Sequence, residues 1–187
     1  MKERKTMPFD KNFVPALRFA VMSDIHIDDE DCIEEQRFAK ALDDLKNLCS
    51  SDERYSGFDA LVIVGDFASR GSEIQMCKVK KILDAGLPAD VRLIMTMASH
   101  EYMSDGEENA LHRFDEIFGL TPDTHAVING FDFIAVTTTR GCHFDDKKRG
   151  FISAELEKAA ERDGKKPIFF FQHPHITDTV YGSINWG

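Results

Sequence analysis

Four short motifs rich in aspartate and histidine occur in this sequence of 187 residues, each close behind an apolar run. They are Asp24-Ile25-His26, Gly65-Asp66, Ser99-His100-Glu101 and Gln172-His173-Pro174-His175. Mixed imidazole and carboxylate ligands suit divalent transition metals such as Mn, Fe, Zn or Ni. Each motif alone is common in ordinary loops, but the ordered set of all four indicates one shared metal site.

The spacing within the motifs supports a metal site. Asp24 and His26 alternate by two, so an extended segment would present both side chains on the same side. Asp66 follows a glycine, which lets the backbone turn sharply and bring the carboxylate to a metal. Because a carboxylate has two oxygens, it can also bridge two ions.

The elements that must position these motifs are strands. Short apolar runs predict buried strands over Leu17–Ser23, Ala60–Val64, Val91–Met97 and Ile168–Phe171. Sites in such sheets usually lie just beyond the carboxyl ends of the strands, which is where the four motifs fall. A hairpin with a type I′ turn is predicted separately, because Asn129-Gly130 stands between Ala126–Ile128 and Phe131–Thr137.

Helices are predicted between the strands from apolar residues spaced by three and four. Two such stretches are Cys32–Cys49 and Glu73–Ala85, and a third stretch, behind a Ser104/Glu107 capping box, ends at Gly119. A short fourth helix is predicted over Ser153–Arg162, with Ser153 as its N-cap. Alternating strands and helices with one hairpin indicate an α/β or α+β domain with a largely buried sheet.

Composition narrows the classes of function. The chain has 23 Lys and Arg residues against 33 Asp and Glu residues, a formal net charge of −10, so general nucleic-acid binding is not expected. A small phosphate ester remains compatible with this charge, because bound metal ions reverse the local field. No apolar run is long enough for a membrane segment, and the N-terminus lacks a signal peptide, so we expect a cytoplasmic protein. The oligomeric state is left open.

In this order, the motifs resemble the signature of the calcineurin-like metallophosphoesterases. That family carries D-x-H, G-D-x-x-x-x-G, G-N-H-[DE], a lone His after a strand, and G-H-x-H. The matching residues here are Asp24-Ile25-His26, the segment from Gly65 to Gly71, Ser99-His100-Glu101 and His173. The resemblance spans Phe19 to about Ile176.

The resemblance implies a β-sandwich flanked by helices that hydrolyses a phosphate mono- or diester with two divalent ions and a metal-bridging hydroxide. It further implies that Asp24 and His26 bind the first metal, that Asp66 bridges both, and that His173 binds the second. His100 would protonate the leaving oxygen or steady the phosphoryl group. Arg70 would contact a phosphate oxygen, the alternative being an exposed loop arginine with no such role.

The sequence departs from the family pattern at three places, and each affects the roles that the resemblance implies. Ser99 replaces the asparagine that ligates the second metal, and its shorter hydroxyl would reach the ion through a water. Ser69 replaces the aspartate that orients the catalytic histidine in the protein phosphatases. No G-H-x-H follows His173.

The missing motif predicts a partial phosphoesterase domain over residues 17–187, incomplete at its C-terminus, behind a leader over residues 1–16. The alternative function is a non-catalytic or truncated relative with weak or single metal binding. An α/β nucleotide-binding domain without metal is disfavoured, because no glycine-rich phosphate loop follows any predicted strand.

Overall fold

The computed structural model describes residues 12–138, 144–162, 166–176 and 179. Strands and helices alternate in it as the sequence predicts, with a short 3₁₀ turn before the third helix. In chain order the elements are β1 (Phe19–Met22), α1 (Ile33–Ser50), β2 (Ala60–Val64), α2 (Glu73–Gly86), β3 (Arg92–Thr96), the 3₁₀ turn (Ser99–Tyr102), α3 (Glu107–Phe118), β4 (Thr124–Ile128), β5 (Phe131–Ala135), α4 (Asp146–Glu161) and β6 (Ile168–Phe171).

The six strands form two sheets of three. In the first sheet β2 lies between β1 and β3, and both of its pairings are parallel. In the second sheet β5 pairs antiparallel with β4 and parallel with β6. The β4–β5 connection confirms the predicted hairpin, because Asn129 and Gly130 both have positive φ, 52° and 78°, as a type I′ turn requires.

The two sheets pack face to face, and helices cover their outer faces. Phe19 of β1 contacts Phe133 and Phe169 of the second sheet, with ring centroids 5.0 and 4.9 Å apart. A second apolar core joins the first sheet to α1, α2 and α3, and α4 lies against β5. Every residue of β2 is buried, as expected for a strand covered on both faces. The predicted fold class, a β-sandwich flanked by helices, is confirmed.

The start of α2 carries a side-chain cap, whereas the start of α3 does not and corrects one prediction. Ser72 and Gln75 form a capping box at the start of α2. The capping box predicted at Ser104 is wrong, because Gly106 is the N-cap of α3 and the Ser104 hydroxyl donates to the Arg70 carbonyl at 2.8 Å. In the described ranges, no helix is long and apolar enough to cross a membrane.

The predicted start of the fourth helix is also wrong. α4 begins at Asp146 rather than at Ser153, because the Asp145 side chain caps it by accepting a hydrogen bond from the Lys148 backbone N–H at 2.7 Å. The first turns of this helix carry the basic run Lys147-Lys148-Arg149, which is typical of an exposed loop, so the sequence shows no apolar stripe there. Ser153 therefore lies in the interior of the helix.

A buried polar contact fixes the end of β3 to the second sheet. The Thr137 side chain is fully buried, and its hydroxyl oxygen accepts a hydrogen bond from the Met97 backbone N–H at 3.0 Å. The same hydroxyl lies 3.3 Å from the Pro122 carbonyl oxygen, to which it donates. This contact holds the segment that leads into Ser99 and His100.

The loop after β2 approaches the 3₁₀ turn so closely that Gly71 leaves no room for a side chain. A Cβ there would lie 1.9 Å from the Glu101 carbonyl oxygen, so Gly71→Ala must separate the two segments at a cost of about 1–3 kcal/mol beyond backbone strain. Gly119 is the matched control, because its φ of 62° resembles the 72° of Gly71 but its Cβ would meet nothing within 4 Å. Urea denaturation should show the larger loss of unfolding free energy for Gly71→Ala, and equal losses would contradict this close packing.

Candidate metal centre

The loops after β1 and β2 remain hydrogen-bonded to each other beyond the ends of their strands. Three backbone N–H groups of the first loop donate to carbonyl oxygens of the second at distances of 3.0 to 3.3 Å. The pairs are Asp24 with Gly65, His26 with Asp66, and Ile27 with Phe67. This extended pairing fixes the register between the first two motifs, so the placement of Asp24 and His26 relative to Asp66 follows from the sheet itself.

Three side chains from different strand ends converge on one point. Asp24, Asp66 and His173 each offer a ligand atom, and these atoms all lie within 4.8 Å of one another. Asp66 is buried, His173 is half-buried and Asp24 is exposed, so the group opens from the interior to the surface. Two carboxylates and one imidazole are a donor set that suits Mn, Fe or Zn, and the residues therefore fit a divalent ion.

The backbone of the site adopts a conformation that side-chain-bearing residues usually avoid. In the described ranges, Asp24, His26, Asp66 and Asn129 alone combine a side chain with positive φ. Their φ values of 50° to 55° lie in the left-handed region, which costs roughly 1–2 kcal/mol per residue. Asn129 serves the hairpin turn, so the other three form a cluster of strained residues at the site. Such strain is typical of functional positions.

His173 reaches the first sheet from the end of β6 in the second sheet. Its Nδ1 lies 2.7 Å from the Val64 carbonyl oxygen, and its Nε2 lies 3.3 Å from Asp66 Oδ2. Gly65 makes room for this approach, because a Cβ there would lie 2.5 Å from the Ala98 Cβ and 3.1 Å from His173 Nδ1. The contact with Val64 orients the ring so that Nε2 faces the carboxylates.

The electrostatics of Asp66 and His173 are coupled. The carboxylate of Asp66 raises the pKa of His173 to about 9, against the effect of burial, and the Val64 carbonyl adds to the increase. Burial by itself would raise the pKa of Asp66, but His173 and the His100 backbone N–H outweigh it and lower that pKa overall. Without a bound cation, the two side chains therefore form an ion pair at neutral pH.

His26 and His100 lie against each other beside this group. Their ring centroids are 4.6 Å apart with an edge-to-face arrangement, and His26 Nε2 lies 3.9 Å from Asp24 Oδ1. His100 Nδ1 lies 2.7 Å from the Ser69 carbonyl oxygen, and the His100 backbone N–H donates to Asp66 Oδ1 at 3.2 Å. The backbone of Ser69 thus orients His100, although the Ser69 side chain replaces the aspartate expected at that position.

Two further predicted site residues are exposed. Ser99 opens the 3₁₀ turn at the surface, directly before His100. Arg70 follows Ser69 in the loop after β2, and its backbone N–H donates to the buried Gln75 Oε1 at 2.8 Å. The Arg70 side chain has no hydrogen bond or ion pair with any residue in the ranges the structure describes. The backbone of Arg70 is therefore fixed while its guanidinium stays available to a ligand.

Glu101 is a buried carboxylate whose contacts could not be read from the sequence. It is fully buried, and its two oxygens accept hydrogen bonds from the backbone N–H groups of Asp66, Ala68 and Ala98 at 2.8 to 3.0 Å. Burial raises the pKa of Glu101 to about 7, although these amides oppose the increase. The sequence marked Glu101 only as the last residue of its motif, and Gln75 gave no signal at all.

An open cavity of about 680 Å³ borders the site on the side of α1. Asp24, His26 and Ser69 contribute to its wall, and Phe38 and Ala41 of α1 provide an apolar part of its lining. Asp24 and His26 are therefore accessible from solvent.

The ion pair between Asp66 and His173 predicts how the stability of the metal-free chain depends on pH. Because the pKa of His173 is raised from 6.5 to about 9, its contribution is complete below about pH 6.5 and is lost as the pH rises through 9. We expect the free energy of unfolding to fall between pH 7 and pH 9.5, as measured by urea denaturation in a chelator. His173→Ala should reduce this fall, whereas His112→Ala, at an exposed histidine on α3, should not. If the free energy of unfolding falls with pH as steeply in His173→Ala as in the wild type, the ion pair is contradicted.

The left-handed conformation of His26 predicts an unusual ranking of two substitutions. His26→Gly and His26→Ala remove nearly the same side chain, but only glycine adopts a φ of 53° without strain. We expect His26→Gly to be more stable than His26→Ala by about 1 kcal/mol in urea denaturation. His112 lies within α3, where glycine should instead be less stable than alanine by about 1 kcal/mol. If alanine is more stable than glycine at position 26, as it should be at His112, then the backbone of His26 is not strained.

The chain was compared with known protein families and with curated proteins. Residues 17–184, most of the chain, match the family model described as calcineurin-like phosphoesterase. A comparison with curated proteins finds no match. The match confirms the predicted resemblance and indicates metal-dependent hydrolysis of phosphate esters. With this coverage, the chain belongs to the calcineurin-like phosphoesterase family.

Proposed function

We propose that this chain hydrolyses phosphate mono- or diesters with two divalent ions. The observation that carries the proposal is the convergence of Asp24, Asp66 and His173 within 4.8 Å at the carboxyl ends of three strands. The strained backbones of Asp24, His26 and Asp66 support it, because such strain persists where a function requires it.

The proposed ligands divide between two positions. Asp24 and His26 would hold one ion, His173 would hold the other, and Asp66 would contact both through its two carboxylate oxygens. The 3.9 Å distance from His26 Nε2 to Asp24 Oδ1 and the 3.3 Å distance from His173 Nε2 to Asp66 Oδ2 support this division. When bound, the ions would supply Lewis acidity and a water of lowered pKa.

The proposed catalytic roles belong to His100 and Arg70. The Ser69 carbonyl accepts the Nδ1 proton of His100 and leaves Nε2 free. In the imidazolium form Nε2 also carries a proton, which it would donate to the leaving oxygen or share in a hydrogen bond with the phosphoryl group. Arg70 would contact a phosphate oxygen, because its backbone is fixed by Gln75 and its exposed guanidinium is suited to bidentate phosphate binding.

A non-catalytic relative with weak or single metal binding is the second candidate. Ser99 favours it, because the exposed hydroxyl is a poorer ligand than the family asparagine amide. If Ser99 serves the second ion at all, we propose that it does so through a water.

The two candidates differ in the number of ions bound. The purified chain would be equilibrated with Mn²⁺, its metal content per chain measured by elemental analysis, and its hydrolysis of p-nitrophenyl phosphate and bis-p-nitrophenyl phosphate assayed. Two ions with Mn²⁺-dependent hydrolysis are the result expected of the phosphoesterase. No ion, or one ion without hydrolysis, would favour the non-catalytic relative.

His100→Ala tests the role proposed for the catalytic histidine. If His100 is a general acid, we expect kcat to fall by about 10²–10⁴-fold while the Mn²⁺ content stays unchanged. His112→Ala is the control, because this histidine is exposed on α3 and should leave both quantities unchanged. Loss of Mn²⁺ together with the loss of rate would show instead that His100 is a ligand.

A further inference from the structure

We propose that Glu101 is a positioning residue that fixes Asp66 and His100 relative to each other, so that metal affinity depends on Glu101 without its contacting metal or substrate. This inference rests on the proposed function. It adds to that function a residue that acts only through backbone amides.

The contacts of Glu101 join two loops that carry site residues. Its Oε2 accepts hydrogen bonds from the Asp66 backbone N–H at 2.9 Å and the Ala98 backbone N–H at 2.8 Å, and its Oε1 accepts from the Ala68 N–H at 3.0 Å. Asp66 and Ala68 belong to the loop after β2, whereas Ala98 precedes the 3₁₀ turn. One fully buried side chain therefore connects both loops from beneath the site.

The carboxylate occupies an anion-binding concavity made by the backbone. The backbone N–H groups of Asp66, Ala68 and Ala98 converge on the Glu101 carboxylate, and converging N–H groups of this kind form anion-binding sites. In many proteins such a concavity binds a phosphate, but here Glu101 fills it. The charge-assisted hydrogen bond to the Asp66 N–H helps to offset the cost of the left-handed backbone.

This arrangement also sets the separation of Asp66 from His100. His100 directly precedes Glu101 in the 3₁₀ turn, and its backbone N–H donates to Asp66 Oδ1 at 3.2 Å. The side chain of Glu101 thus holds the Asp66 backbone while the neighbouring amide holds the Asp66 carboxylate. Without the Glu101 side chain, the His100 backbone N–H would remain to orient Asp66, the proposed ligand of both ions.

Glu101→Gln tests the proposal, because it keeps the shape of the side chain but places an NH₂ group against at least one of the three N–H donors. We expect its Kd for Mn²⁺, measured by titration calorimetry, to rise by about 10–100-fold, as for other residues that orient metal ligands. Asp132→Asn is the matched control. Asp132 of β5 is also buried, and it pairs with His125 of β4 and with Arg162, which follows α4, away from Asp66 and His100.

Both variants would be compared under conditions where circular dichroism shows them folded. A weaker Mn²⁺ affinity in Glu101→Gln alone supports the proposal. An unchanged Kd in Glu101→Gln, or an equal loss in Asp132→Asn, overturns it. If Glu101→Gln does not fold, Glu101→Asp replaces it, because it keeps the charge but shortens the reach by one methylene, and an unchanged Kd again overturns the proposal.

Hydrogen exchange of the wild-type chain provides a measurement that no folding defect can affect. The amide protons of Asp66, Ala68 and Ala98 should exchange slowly although all three lie outside the strands and helices, and rapid exchange would overturn the proposal. If the wild-type chain binds no Mn²⁺, the proposed function fails. If it binds Mn²⁺ and Glu101→Gln binds equally well, only the inference about Glu101 fails.

Discussion

A sharp backbone turn at the end of β2 is the constraint on which the site depends. Asp66 can face both Asp24 and His173 only because the chain leaves the strand at once, through two successive residues with positive φ. For Asp66 this conformation costs roughly 1–2 kcal/mol. The parallel pairing with the preceding loop, the approach of His173 over Gly65 and the hydrogen bond to Glu101 together hold it in place.

The layered fold explains why residues far apart in the sequence meet there. Parallel pairing brings the ends of β1, β2 and β3 to one edge of the first sheet, and face-to-face packing brings the end of β6 to the same place. His173 then reaches from the second sheet to the Val64 carbonyl of the first. The Thr137 hydroxyl also joins the two sheets, because it accepts a hydrogen bond from the Met97 backbone N–H just after β3. The aromatic packing of Phe19 against the second sheet is therefore a condition for the site as well as a contribution to stability.

Backbone carbonyl oxygens orient two histidines of the site, one of them in place of the aspartate that the protein phosphatases use. His100 is oriented by the Ser69 carbonyl oxygen, so the serine at this position does not leave the ring unsupported. His173 is likewise oriented by a carbonyl, that of Val64. A carbonyl oxygen is present at every residue, so the sequence does not show which one lies beside a given imidazole. A departure from a motif therefore tells less about a site than the local backbone does.

The sequence by itself determined the order of the elements, the hairpin turn and the residue types of the site, because apolar periodicity, Asn129-Gly130 and the spacing of Asp and His are local properties. It did not determine where α3 and α4 begin, because the cap at Asp145 and the contact of Ser104 with Arg70 depend on neighbours in space. Only the tertiary structure decided that the ligand atoms of Asp24, Asp66 and His173 lie close together and that Glu101 fills the backbone concavity beneath them. These contacts join segments 30 or more residues apart, and their geometry is set by how the sheets and loops pack rather than by any local preference.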